Sequence, residues 1–309
     1  MKFLRILFIL WMLHILTGCM KEDDSMCPKH NVTLYFSLLN VDGHDIFNNH
    51  ISAVDILIYS VSGTFIQREH VGQNELDRFQ GARLLLPAGV YYLICWGNVH
   101  NNTQYNGIET QNIPTITYAV IDGNNSAGPC DPLYYSSAIT TRATELPEAS
   151  LLTVPEQGEW QGTAFFRAAH HQIEVYIKGY DQKENRLPQV EFTALPAGVC
   201  LSNMAPLPDR SVVKSNNATQ IVTMQGEPYA ATRFFTFRFE PNNLITINII
   251  NPSTGEIVYS LPLSEVMEMH PSPHTIIIRM VIEFKNTCVV VTFPDWSLDD
   301  IGFGFGWDY

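Results

Sequence analysis

Apolar residues recur in this chain at every second position, and that period limits its fold more than any other feature. Successive side chains of an extended strand point to opposite faces, so such a run presents one apolar face to an opposing sheet. Val32, Leu34, Phe36 and Leu38 share one face, with Thr33, Tyr35 and Ser37 on the other. Val54, Ile56 and Ile58 repeat the pattern, as do Ile173, Val175 and Ile177, which alternate with Gln172, Glu174, Tyr176 and Lys178. Phe235, Phe237 and Phe239 follow, then Ile245, Ile247 and Ile249. Ile276, Ile278, Met280, Ile282 and Phe284 form the longest such face, and Val289, Val291 and Phe293 close the series.

Turn signals fall between these runs. Asp42-Gly43, Ser62-Gly63 and Asp122-Gly123 are turn dipeptides, and Asn251-Pro252-Ser253-Thr254-Gly255 reads as a hairpin loop. Leu86-Pro87-Ala88-Gly89-Val90 recurs as Leu195-Pro196-Ala197-Gly198-Val199, a shared turn with proline fixing φ and glycine allowing positive φ before a strand. Helical spacing is confined to Gln73–Gln80 and to Leu263, Val266 and Met267, neither long enough to organise a fold. About 14 short strands without long helical crossovers predict an all-β protein built as two tandem antiparallel β-sandwich domains. The stretch 105–159 is rich in Thr, Asn, Gly and Pro and places the boundary near residue 155, giving domains at 31–155 and 156–309.

The N-terminus carries an address. Lys2 and Arg5 precede an apolar run from Ile6 to Leu16, which ends in Leu16-Thr17-Gly18-Cys19. The run is short of the roughly 20 apolar residues that span a bilayer and reads as a secretory signal peptide over 1–18. The Leu-Thr-Gly-Cys ending resembles a bacterial lipobox, which implies cleavage after Gly18 and lipid attachment at Cys19. Each buried CH₂ of an acyl chain contributes about 0.8 kcal/mol, and stable anchoring needs more than one chain. Residues 19–30 are then a lipidated acidic tether. Its Lys21-Glu22-Asp23-Asp24 resembles an export signal to the outer leaflet and equally suits a solvated spacer. The expected location is the outer membrane, lipid-held and surface-exposed.

The formal net charge is −13, or −15 once Lys2 and Arg5 are removed, and no basic patch interrupts it, which argues against nucleic-acid binding. Five cysteines follow Cys19: Cys27, Cys95, Cys130, Cys200 and Cys288. An odd count leaves at least one free thiol outside the cytoplasm. Cys95 lies in the apolar run Tyr91–Trp96 and packs as a small hydrophobe. Cys27 and Cys130 both sit beside prolines outside strands, and their pairing would staple the start of the first domain to its long loop, although connectivity cannot be read from sequence.

No catalytic constellation, cofactor loop or metal-site spacing emerges, so no catalytic residue, no cofactor and no metal are expected. His170 and His171 point to opposite faces of a strand, poor geometry for joint ligation. His270 and His274 flank a Pro-Ser-Pro loop. Tyr91, Tyr92 and Trp96 are candidates for a sugar platform, but aromatics in apolar strands more commonly fill cores. The end, Gly302-Phe303-Gly304-Phe305-Gly306-Trp307-Asp308-Tyr309, reads either as a tail or as a short partner-binding strand.

Several short segments in a set order are similar to one family. They are the lipobox with Cys19, the acidic tether, Cys27-Pro28, Val54–Tyr59 running into Ser62-Gly63-Thr64-Phe65, and Leu86–Tyr91 leading to Trp96-Gly97-Asn98. Cys130-Asp131-Pro132-Leu133-Tyr134-Tyr135, Phe166-Arg167-Ala168 and Pro294-Asp295-Trp296 complete the series. This order resembles the FimB-like anchor subunits of type V fimbriae, the minor-fimbrium anchor family. The resemblance covers most of residues 16–296. It implies two transthyretin-like β-sandwiches on a lipidated N-terminus. It also implies a non-catalytic part that anchors a fimbrial shaft, limits its length and joins a shaft subunit by donor-strand addition. The lipid cysteine is the family's functional signature, and Cys19 matches it. Cys95 stands where a small apolar residue is usual. The competing expectation is a surface carbohydrate-binding lipoprotein of a glycan-uptake system, which requires exposed coplanar aromatics on one domain face.

Overall fold

The computed structural model describes residues 30–40, 42–109, 115–118, 128–136, 139–140, 151–180, 186–207, 212–217, 219–269 and 277–294. These residues form β-structure almost throughout. The first half contributes β1 (Val32–Ser37), β2 (Val54–Ser60), β3 (Phe65–Val71), β4 (Gly81–Leu84), β5 (Gly89–Gly97), β6 (Thr103–Asn106), β7 (Thr115–Tyr118) and β8 (Tyr134–Ser136). Next come β9 (Ile139–Thr140), β10 (Leu151–Val154), β11 (Trp160–Phe165) and β12 (Arg167–Ala168). The second half contributes β13 (His170–Lys178), β14 (Gln189–Pro196), β15 (Gly198–Cys200), β16 (Val212–Asn217) and β17 (Gln220–Met224). It ends with β18 (Glu227–Phe237), β19 (Thr246–Ile250), β20 (Ile257–Pro262), β21 (Ile277–Phe284) and β22 (Val289–Thr292).

In the first sandwich, the sheet β4-β1-β11-β9 faces the sheet β12-β8-β5-β2-β3, with β10 also paired to β5. Between them lies a core of alternate residues: Val32, Leu34 and Phe36 from β1, and Val54, Ile56 and Ile58 from β2. Tyr35, on the opposite parity of β1, is 41% exposed, as strand alternation requires. Ser60 and Gly63 close the β2–β3 hairpin, where Gly63 adopts φ +81°, a left-handed conformation suited to glycine. The second sandwich pairs β17-β18-β13-β21-β22 with β16-β14-β19-β20. Ile173, Val175, Ile177, Ile247, Ile249, Ile278, Met280 and Ile282 fill its centre. The loop Asn251–Gly255 joins β19 to β20 as a hairpin, with Gly255 at φ +73°.

Most ladders are antiparallel. In each sandwich, however, the opening strand pairs in parallel with a late one, β1 with β11 and β13 with β21. The β1–β11 pairing runs from Val32 opposite Trp160 to Ser37 opposite Phe165, so strands beyond the expected boundary at 155 belong to the first sheet system. β12 extends this to Ala168 by pairing with β8. The helical segments are short, Phe47–His50, Gln73–Leu76 and Leu263–Met269, and the last buries Leu263, Val266 and Met267 against the second core.

One aromatic face departs from expectation. Phe235, Phe237 and Phe239 do not all line the second sandwich core. Phe234, of the opposite parity, fills that core by stacking on Phe192, with ring centroids 4.7 Å apart. Phe235 and Phe237 instead join a separate apolar cluster between the two domains.

Candidate functional site

The seam between the sandwiches gathers residues from distant parts of the sequence. β7 pairs with β15 in antiparallel register, Ile116 opposite Val199, so a three-stranded sheet β6-β7-β15 draws strands from both halves. Gly198, which opens β15, does not use positive φ as the turn motif suggests. Its glycine is required by close approach, because a Cβ there would lie 2.4 Å from the carbonyl oxygen of Ile116.

This small sheet covers the outer face of β2, which is therefore buried on both sides. Leu57 and Tyr59 pack there with Trp96, Ile116, Leu133, Tyr135, Val199, Leu201 and Phe237. Burying side chains of this size contributes roughly 1.5–3 kcal/mol each, so this cluster is a third core rather than a loose contact. Asp55 sits on the same face with 2% of its side chain exposed. Its carboxylate accepts from Arg68 Nε and Nη2, each at 3.0 Å, and from the hydroxyl of Tyr105 at 2.8 Å. His70 Nδ1 lies 2.9 Å away. Burial, then Asp55, raises the Tyr105 phenol well above its ordinary range. The carboxylate thereby fastens β6 of the small sheet onto β2 and β3.

Polar contacts complete the seam. Trp96 Nε1 donates to the carbonyl oxygen of Leu201 at 3.2 Å, and the Tyr135 hydroxyl donates to that of Ser202. The two rings pack at 5.1 Å between centroids. The backbone N–H of Cys130 donates to Phe235 O at 2.9 Å, and that of Ala169 to Leu133 O at 2.8 Å. His170 Nδ1 also meets Leu133 O, at 2.7 Å, and burial lowers its imidazole to about 4, so the ring is neutral at pH 7. His171 Nε2 lies 3.4 Å from Phe239 O. The two imidazoles thus have separate structural partners, as their alternation implies. Among the described residues no group of three or more His, Cys, Asp or Glu is placed to hold a metal ion.

Two buried polar side chains organise the loops beside the seam; both lie in segments quoted for the resemblance, which assigned neither of them a role. Asn98 has φ 60°, a conformation that asparagine tolerates better than most residues. Its Oδ1 accepts from Ser52 N at 2.9 Å, and its Nδ2 donates to His50 O at 2.7 Å and Pro132 O at 3.2 Å. Asp131 accepts from His100 N at 2.9 Å, from Asn102 N at 3.3 Å and from the Thr103 hydroxyl. The segments Trp96-Gly97-Asn98 and Cys130–Tyr135 therefore form one structural unit. Their polar members tie the loops, and their aromatic members clamp the second domain. A cleft of about 880 Å³ opens beside them, lined by both domains.

Cys19 and Cys27 lie outside the described residues, so neither the lipid site nor a Cys27–Cys130 bridge is placed. Cys130 itself is buried in the seam, and burial followed by the neighbouring Asp131 raises its thiol well above the usual range. His270, His274 and the glycine-aromatic end also lie outside the described residues. Of the aromatics considered as a sugar platform, Tyr91 and Trp96 are buried and Tyr92 is 38% exposed.

A family model described as fimbrillin-A associated anchor proteins Mfa1 and Mfa2 matches residues 23–302. The chain belongs to this anchor-protein family. The family is one of structural fimbrial proteins rather than enzymes, and membership associates the chain with the fimbrium and its shaft subunits. Among solved structures, the fimbrial anchor protein Mfa2 from Porphyromonas gingivalis superposes with a TM-score of 0.61 at 13% identity, covering 84% of this chain and 94% of that one. A candidate polysaccharide-binding protein from Bacteroides thetaiotaomicron gives 0.64 at 11% identity, covering 88% and 100%. A candidate adhesin from Bacteroides ovatus gives 0.64 at 13% identity, covering 86% and 93%. At these identities the likeness is one of fold. No curated protein matches the chain. Among the described residues no helix is long and apolar enough to cross a membrane.

Proposed function

We propose that this chain is the lipid-held base of a fimbrium. Cys19, freed by cleavage after Gly18, carries the acyl chains that hold the protein in the outer membrane, and residues 19–30 space the first sandwich from the lipid. A shaft subunit joins by donor-strand addition, in which main-chain hydrogen bonds along a sheet edge give affinity and pockets for alternate side chains give specificity. Because the base is fixed to the membrane, its incorporation ends growth and limits fibre length. The family match over residues 23–302 carries this reading, and the lipobox ending Leu16-Thr17-Gly18-Cys19 supports the position at the base rather than the tip.

The test is Cys19→Ala in the native host. Electron microscopy of cells and immunoblots of the medium for shaft subunits read the outcome. The expected result is loss of cell-bound fibres, with shed or overlong fibres in the medium. Attached fibres of normal length would overturn the reading.

A further inference from the structure

We propose that the outer face of the second sandwich is a docking surface for the chain's own residues 301–309, an assignment independent of anchoring. This face belongs to the five-stranded sheet β17-β18-β13-β21-β22. Register places Arg233, Glu174 and Arg279 in one row across β18, β13 and β21, and Ala231, Tyr176 and Val281 in the next. Outward side chains on a solvated sheet face stay partly exposed, as Tyr35 does at 41%. Here Tyr176 is 1% exposed, Ala231 2%, Met224 4% and Val281 8%. Their apolar cluster draws only on β13, β17, β18 and β21, strands of the sheet itself. Tyr229 flanks the Tyr176 ring at 6.5 Å between centroids, but in-plane neighbours do not roof a sheet. The seam meets this sheet at Phe235 and Phe237, and Ala231 lies a further four residues, roughly 13 Å, along β18. The cover over this row therefore comes from outside the described residues.

Three features select residues 301–309 as that cover. The first is reach. The edge strand β22 ends at Thr292, the described structure ends at residue 294, and fifteen residues, 295–309, follow. Extended, they span about 50 Å. A sheet of five strands is about 20 Å wide. The second is patterning. Ile301, Phe303, Phe305, Trp307 and Tyr309 alternate with Gly302, Gly304, Gly306 and Asp308, so an extended segment turns one apolar face to the sheet. The segments 181–185 and 270–276, which join strands of the same sandwich, hold no Phe, Tyr or Trp. The third is charge. Arg233 Nη2 and Arg279 Nε flank the one carboxylate of Glu174, at 3.2 and 2.7 Å. Residues 295–309 carry four aspartates and neither Lys nor Arg, the sign that complements a face with two guanidinium groups. Because the segment is tethered to the same sheet, its docking is intramolecular and runs at a high effective concentration.

The experiment is hydroxyl-radical footprinting, read by mass spectrometry, of the full-length protein in mild non-ionic detergent. It is compared with a chain ended after Ser297 and with Phe303→Ser combined with Trp307→Ser. Tyr35 serves as the exposed reference, and Met280, fully buried in the second core, reports whether the sandwich is folded. The expected result is slow labelling of Tyr176, Met224 and Val281 in the full-length protein. In both variants their labelling rises at least about tenfold, as for a face otherwise bared only in a minor undocked state, while Met280 stays protected. If the shortened chain also exposes Met280, the double variant decides. Three outcomes overturn the proposal: Tyr176 labels as fast as Tyr35 in the full-length protein, protection persists in the folded variants, or protection is lost on dilution, which assigns the cover to a second copy.

Discussion

The indole of Trp96, in the first sandwich, donates its hydrogen to the carbonyl oxygen of Leu201, in the second, at 3.2 Å and out of contact with water. Trp96→Phe keeps most of the apolar contact and removes the donor, leaving a buried carbonyl without it. The expected loss is about 1–3 kcal/mol in urea-induced unfolding. A change below about 0.5 kcal/mol would show that the seam does not depend on this bond.

Gly198→Ala tests the same seam from the backbone side. The added methyl meets Ile116 O at 2.4 Å, so β15 must move away from β7. The variant is expected to become sensitive to limited proteolysis near residue 200 while each sandwich remains protected.

The imidazole of His170 titrates at about 4 in the folded protein against an ordinary value of 6.5, because burial disfavours its charge. Between those values the unfolded chain binds the extra proton, so this contribution is complete above pH 6.5 and is lost as pH falls towards 4. The full difference corresponds to about 3 kcal/mol. Denaturant midpoints at pH 7.5 and 4.5 should differ more in the native protein than in His170→Gln, which has no proton to gain there.

Glu174 lies 1% exposed between Arg279 Nε at 2.7 Å and Arg233 Nη2 at 3.2 Å, with the Tyr176 hydroxyl donating to it at 3.0 Å. Glu174→Ala leaves two guanidinium groups around an emptied site. A cost of about 3–5 kcal/mol is expected from denaturation, as for other buried pairs broken from one side.

Thiol labelling should follow burial. Cys288 is exposed at the turn between β21 and β22, whereas Cys95 is fully buried with its thiol pushed up to about 12. Mass spectrometry after brief alkylation of the native protein should find Cys288 modified and Cys95 only after unfolding. The same digest without reductant would show whether Cys27 is joined to Cys130.

The strands were legible because alternation reports directly on burial. Val32, Leu34 and Phe36, or Ile245, Ile247 and Ile249, each sit at 2% exposure or less, as the pattern implies. Alternation does not say which of two apolar faces meets which neighbour, so Phe234 and Phe237 could not be assigned to different cores. β11 escaped the first domain because a parallel partner more than 120 residues away in sequence leaves no turn signal beside it. The seam was half visible. Trp96-Gly97-Asn98 and Cys130–Tyr135 stood out as segments, yet the work of Asn98 and Asp131 is done through loop backbone groups, which no side-chain pattern encodes. The donors Trp96 and Tyr135 likewise reach carbonyls at Leu201 and Ser202, groups that every residue carries.

The place of β1 in its sheet has a mechanical consequence. β1 is the first strand after the proposed tether in sequence, and it is flanked on both sides, by β4 and by β11. Its ladder hydrogen bonds lie across the strand axis. On the proposed lipid anchoring, a pull from the membrane directed along that axis would load every rung of both ladders together. Such a base would meet traction in shear, where the rungs share the force, rather than peel open one rung at a time.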